Sequence, residues 1–256
     1  MNSTMPYMYK KKVLLSAIVS SLLYGCESCF LENFKEVKKK YIEALKALLG
    51  VRETTRYDII LLETGMPTLK ELICDRTVKF VKKNIRGDID ETPLAKAYKI
   101  CQNNSTKGYL YLKNLLDNPN NETLENLQKQ FANVQGTKAE TYRVVNPKLA
   151  VHKVYTSTSY IEEHKRLSFT RFRLSSHRLK VETGRWARTP RERRLCECGV
   201  VQDEDHVVFD CDKTKNIRDR YDISRSNYKD IGELMEICDE HKLVDFIHEV
   251  MMIFNT

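Results

Sequence analysis

Four residues late in the sequence restrict this chain more than any other stretch does. Arg194-Leu195-Cys196-Glu197-Cys198-Gly199 is followed by Gln202-Asp203-Glu204-Asp205-His206 and then by Cys211. The pattern is two cysteines one residue apart, seven residues, a histidine, four residues and a third cysteine. Two thiolates on a tight knuckle, with a His and a Cys on the returning strand and helix start, can close a tetrahedron around one zinc ion. Gly199 suits such a knuckle, because backbone folded around a metal often needs a positive φ. Cys196, Cys198, His206 and Cys211 would fill all four positions. Such a site is structural, with no place left for a reactive water. Its task would be to fold a small loop-rich unit with little core of its own. The acids at Asp203 to Asp205 are read as solvated.

Immediately upstream the chain is strongly basic. Between His164 and Arg194 lie 11 of the 43 Lys and Arg, against two acids, Glu182 and Glu192. The formal charge of the whole 256-residue chain is +8. A polyanion is therefore the natural partner, and a localised patch is what neutralises phosphates. Phosphate contact is assigned to Arg171, Arg173, Arg178, Lys180, Arg185, Arg188, Arg191, Arg193 and Arg194, since an Arg fork meets two phosphate oxygens at once. Trp186, the single Trp, is either a platform for an unpaired base or the anchor of a small core.

Hydrophobic content of 41% with 30% charge places the chain among globular proteins. Lys10-Lys11-Lys12 before the apolar run Val13 to Tyr24 imitates a signal peptide but is too short to span a bilayer. It is read as a buried helix in a reducing compartment, nucleus or cytoplasm, with no membrane partner. Leu31 to Leu49 follows helical spacing and stops at Gly50. Ile59 to Leu62 forms a short helix ending at Gly65, and Thr68 with Glu71 makes a capping box for a helix to about Asn84. Gly87 to Glu91, including Asp88 and Asp90, is a linker. Helices are predicted at Pro93 to Gln102, Lys107 to Leu116, Thr123 to Val134, Tyr160 to Leu179, Asp212 to Tyr221 and Leu234 to Phe254. Cys26 and Cys29 are read as core cysteines, and Cys238, His241 and His248 fit no ligand spacing. The expected fold is mainly α, with a helical unit over 1–86, a helical spacer over 87–155, and a basic zinc-knuckle unit with little β over 156–256.

The segment RFRLSSHRLKVETGRWARTPRERRLCECGVVQDEDHVVFDC, Arg171 to Cys211, resembles the zinc-binding segment near the C-terminal end of non-LTR (LINE-type) retrotransposon reverse transcriptases. Arg171 and Arg173 with Leu174, His177-Arg178-Leu179, Gly184-Arg185-Trp186, the Cys-x-Cys-Gly and Asp203-Glu204-Asp205-His206 carry the likeness. SAIVSSLLYGCESC (Ser16 to Cys29), on through LLETGMPTLKELICDRTVKFVKK, is similar to the thumb after the polymerase palm of that family. Tyr24-Gly25 and Glu27 match it, while Cys29 stands where an aromatic is usual.

The resemblance implies a grip on template RNA or target DNA. It does not bring catalysis, for the paired aspartates of the palm are missing: no Asp-Asp step occurs anywhere. Glycine-rich phosphate loops and hydrolase motifs are absent as well. The expectation is a nucleic-acid-binding module without enzymatic activity of its own, partnered by RNA or DNA and by the remainder of a reverse transcriptase. Two other readings stand beside it: a zinc-stabilised protein-interaction module, and the non-catalytic part of a polymerase completed by another chain.

Overall fold

A computed structural model describes residues 5–26, 35–84, 93–117 and 123–254. Among the described residues helix makes up 68% and β-structure 1%, with no sheet, so the fold is mainly α. The first helical run is α1 (Tyr7–Val13), a π-helical stretch (Leu14–Val19) and a last turn, α2 (Ser20–Leu22). It buries Leu14, Val19 and Leu23 while Val13 and Ile18 face outward. None of the described helices is long and apolar enough to cross a membrane.

The amphipathic α3 (Lys35–Leu49) buries Tyr41, Leu45, Leu48 and Leu49, the apolar stripe read from the spacing. Gly50 ends it at φ +64°. Its N–H reaches Ala47 O at 3.3 Å and that of Val51 reaches Lys46 O at 3.2 Å, a Schellman turn. Next comes α4 (Tyr57–Thr64), enclosed on all sides and closed by Gly65 at φ +59°. A Cβ there would lie 2.6 Å from Val151, so the glycine also permits close packing. Lys11 Nζ donates to the freed carbonyls of Thr64 (2.8 Å) and Gly65 (3.1 Å). The capping box forms ahead of α5 (Leu69–Asn84): Glu71 N–H donates to Thr68 Oγ1 (3.0 Å), and Thr68 N–H to Glu71 Oε2 (3.3 Å).

The helices of the predicted spacer follow: α6 (Pro93–Asn103), α7 (Lys107–Asp117) and α8 (Leu124–Ala132), the last capped by Thr123. A further helix, α9 (Thr137–Val145), was not foreseen. It starts at Gly136 with no side-chain cap and has little amphipathic signal in its sequence. Phe131, Ala139 and Tyr142 from this region join the residues of α1 to α5 in one core. The packing therefore cuts across the expected boundary at residue 86. Glu27, Cys29, Asp88 and Asp90, read above as part of the thumb-like likeness, a core cysteine and a linker, lie outside the described residues.

A second core gathers Phe169 and Phe172 of α10 (Glu163–Arg173), Val181 of α11 (Lys180–Trp186), Val207 and Val208 of α12 (Glu204–Phe209) and Ile217 of α13 (Lys215–Tyr221). It is completed by α14 (Ile231–Ile237) and α15 (Glu240–Phe254). The predicted Tyr160 to Leu179 helix is shorter than expected because Ser175 takes a positive φ of 47°. The last predicted helix is two, divided at Cys238, whose ψ of 145° is extended.

The two cores meet at an ion pair with almost no solvent contact. Arg173 Nε and Nη2 donate to Glu63 Oε1 (2.5 Å) and Oε2 (3.0 Å), with relative side-chain exposures of 1% and 0%. Tyr142 Oη donates to the same carboxylate at 2.9 Å, and Asn146 Nδ2 donates to Tyr142 Oη at 2.9 Å. Burial alone would raise the Glu63 carboxyl; the Arg173 charge and these donors hold it below the ordinary range. His152 adds a second link, its Nε2 lying 2.8 Å from Met235 O.

Candidate metal centre and basic surface

The knuckle is built from backbone before any metal enters. Cys196 N–H donates to Val200 O at 2.7 Å and Gly199 N–H to Cys196 O at 3.0 Å. Gly199 has φ +80°, as the turn required. A single antiparallel bridge, Leu195 with Val201, closes the base of the loop. The other two ligands come from the second core. His206 sits in α12, and Cys211 follows that helix, its N–H bonded to His206 O at 2.8 Å.

Cys196, Cys198, His206 and Cys211 bring their ligand atoms within 4.8 Å of one another. Cys196 Sγ lies 3.7 Å from Cys211 Sγ, Cys198 Sγ 3.6 Å from Cys211 Sγ, and Cys198 Sγ 3.3 Å from His206 Nε2. A disulfide would need about 2.05 Å. A tetrahedron with metal–sulfur bonds of about 2.3 Å has edges of about 3.8 Å, close to what is seen. The group could thus hold one metal ion, and it is the only such group among the described residues.

Burial works against charge at these sulfurs, but the backbone at Cys198 and the side chains of His206, Cys198 and Gln202 outweigh it and bring the Cys196 thiol down to about 6. Cys211 moves the other way, to about 12, because burial is joined there by its two neighbouring sulfurs. Three crowded thiols cannot all ionise without a compensating cation, which is what a divalent metal supplies.

The acidic run beside the site divides three ways. Asp203 caps α12, its Oδ1 accepting from His206 N–H at 3.0 Å, while its Oδ2 pairs with Arg191 at 2.6 Å. Asp205 pairs with Arg225 at 2.6 Å. Glu204 corrects the reading of this run as solvated: it is buried and its Oε1 lies 3.0 Å from His177 Nε2.

The nine basic residues assigned to phosphate also divide. Arg173 is corrected outright: its guanidinium is locked to Glu63 between the two cores and cannot reach a ligand. Arg194 is turned inward as well. It donates to Thr189 O (2.8 and 2.6 Å) and Val181 O (2.7 Å), in space that exists because Gly184 has no side chain. Arg185 is paired with the buried Glu182, Arg191 with Asp203, and Lys180 donates to Leu195 O at 2.7 Å. Arg171 uses its Nε on Gly50 O at 2.8 Å. The side chains of Arg178, Arg188 and Arg193 are exposed, with no hydrogen-bonded or ion-paired partner among the described residues. Arg188 occupies the left-handed position that ends α11, at φ 53°, where glycine is usual.

Trp186 is not a core anchor; it is 53% exposed. The guanidinium of Arg52 lies over its ring, 3.9 Å from the centroid. Arg52 was outside the sequence-based site, since nothing in a lone Arg after a helix stop marks it. Of the other cysteines, Cys26, Cys74 and Cys238 are buried. Compared with known protein families, with curated proteins and with solved structures, the chain matches none.

Proposed function

We propose that this chain binds nucleic acid through a basic surface whose shape is held by a zinc-bound knuckle, in the manner of the C-terminal part of a non-LTR retrotransposon reverse transcriptase. One observation carries the reading most directly. The four clustered ligands lie on the same short stretch that presents Arg178, Arg188 and Arg193 to solvent, so metal and basic loop are parts of one device. Three sulfurs and one imidazole nitrogen form a soft donor set that suits zinc. When bound, zinc would supply the charge that keeps the three thiols ionised, and it would tie the knuckle to α12. The protein's own residues do the rest: Asp203 fixes the start of α12, and exposed arginines offer forks to phosphate oxygens. No chemistry is assigned, since the sequence holds no Asp-Asp step. A palm would have to come from elsewhere.

The test is metal content of the purified full chain together with its binding to single-stranded RNA over a range of salt, with and without a chelator. One zinc per chain, steeply salt-dependent binding and loss of binding on chelation are expected. Binding untouched by chelation would separate the knuckle from the basic surface. Absence of RNA and DNA binding would remove the proposal and leave a metal-stabilised interaction module.

A further inference from the structure

A cleft of about 470 Å³ opens where the turn after α3 meets α10, the loop beyond it and α15. Gly50, Arg52, Ser168, Arg171, Ser176 and Arg178 are among its walls, and no carboxylate lines it. The Schellman turn at Gly50 delivers Arg52 here from the first core, and its positive φ of 64° favours glycine at that bend. A Cβ on Gly50 would lie 2.4 Å from Leu167.

Arg52 is held in place from three sides. Its backbone N–H donates to Ser176 Oγ at 2.9 Å, its Nη2 donates to His177 O at 2.6 Å, and its guanidinium covers part of Trp186. Its Nη1 is a buried donor with no acceptor. A donor left so is unfavourable until something accepts from it. Arg171 is anchored through Nε, and Arg178 has no partner among the described residues. Burial, and then the charges of Arg178 and Arg171, lower the affinity of Arg52 for its proton, against the pull of Glu182. Three guanidinium groups thus face one volume without a counter-anion in its walls.

A carboxylate has two oxygens and is satisfied by one Arg, whereas phosphate accepts from several forks at once. The half-exposed indole beside Arg52 suits a base attached to that phosphate. We propose that the cleft takes one backbone phosphate of a single-stranded nucleic acid, gripped by Arg52, Arg171 and Arg178, with an adjoining base stacked on Trp186. The site is thus shared between the two cores. The inference rests on the nucleic-acid reading above and adds Arg52 to it.

The experiment uses the full chain and a single-stranded RNA of about a dozen uridines, long enough to cover one such site. Fluorescence of Trp186, the single Trp, reports stacking, and anisotropy over a salt series reports affinity. Arg178→Glu is expected to weaken binding about tenfold or more and to reduce the salt slope by about 0.7, with an unchanged unfolding midpoint. Arg52→Gln is expected to weaken binding similarly and to remove the RNA-dependent change in Trp186 emission. If Arg52→Gln fails to fold, Arg178→Glu decides alone, because that side chain supports nothing in the fold. RNA binding with unchanged affinity and slope in Arg178→Glu would overturn the cleft and leave the general reading standing. No RNA binding by the unaltered chain would overturn both. A response of Trp186 to inorganic phosphate, without RNA binding, would assign the cleft to a free anion and overturn the strand.

Discussion

Ile60, Leu61 and Leu62 of α4 have no solvent contact at all, whereas Glu197, Gly199 and Val200 of the knuckle are all exposed. The first core is held by apolar area, at roughly 25 cal/mol for each Å² removed from water. Between Leu195 and Val200 the knuckle buries only the side chain of Cys196. Its shape depends on a few backbone hydrogen bonds and on whatever joins four soft atoms. The first region should respond gradually to single changes, the second almost all at once. Between them lies a third kind of support, the Glu63–Arg173 pair, which is as enclosed as the core and as polar as the knuckle.

The contrast is sharpest at the metal ligands. Cys211→Ala should abolish metal uptake, removing binding free energy on the order of 10 kcal/mol at neutral pH. Hydrogen exchange should then collapse from about residue 194 to 203 while α4 stays protected; loss of protection in both regions would show that the knuckle supports the whole fold. The next largest effect belongs to the pair between the cores. Arg173→Met should cost about 3–5 kcal/mol in urea unfolding, because Glu63 is left buried and must take up a proton. Adding Glu63→Leu should restore much of that stability, and failure to do so would argue that Arg173 acts mainly through Val145 O, 3.5 Å from its Nη1.

Acid should separate the regions a third way. Burial, followed by the Arg173 charge, lowers the pKa of His152 to about 4. Its Nδ1 accepts from Val154 N–H at 3.2 Å, so the neutral ring is the form that fits. Because the folded value lies below the unfolded 6.5, this stability is complete above about pH 6.5 and is lost as pH falls toward 4. The loss is about 1.4 kcal/mol per unit, near 3 kcal/mol in all. Urea unfolding of the chain and of His152→Gln at pH 7 and 4.5 would measure it; equal acid sensitivity in the two would rule it out. The smallest expected change is Thr68→Ala. Loss of that cap should cost about 1 kcal/mol by thermal unfolding and leave metal content unaltered.

What could be read from the residues follows the same division. Signals that act locally were legible: glycine stops at 50 and 65, the cap at Thr68, and the ligand spacing itself. Each of these depends on neighbours a few positions away. Burial of charge was not legible, because it depends on partners far off in sequence. Arg173 and Arg178 look alike in a basic run, yet one meets Glu63 and the other meets solvent. His177 and Glu204 likewise give no sign of each other across 27 positions. The α9 helix was missed for the opposite reason, since packing on the first core supplies what its weak local pattern lacks.

The Glu63–Arg173 contact also bears on the order in which the chain can assemble. The two residues stand 110 positions apart. A growing chain can collect the apolar side chains of α1 to α5 long before position 173 has been made. Until then Glu63 must stay hydrated or protonated, so α4 cannot settle fully into the interior that waits for it. Full enclosure of α4 is therefore expected only once α10 is in place, and late protection of the α4 amides in refolding followed by hydrogen exchange would check it.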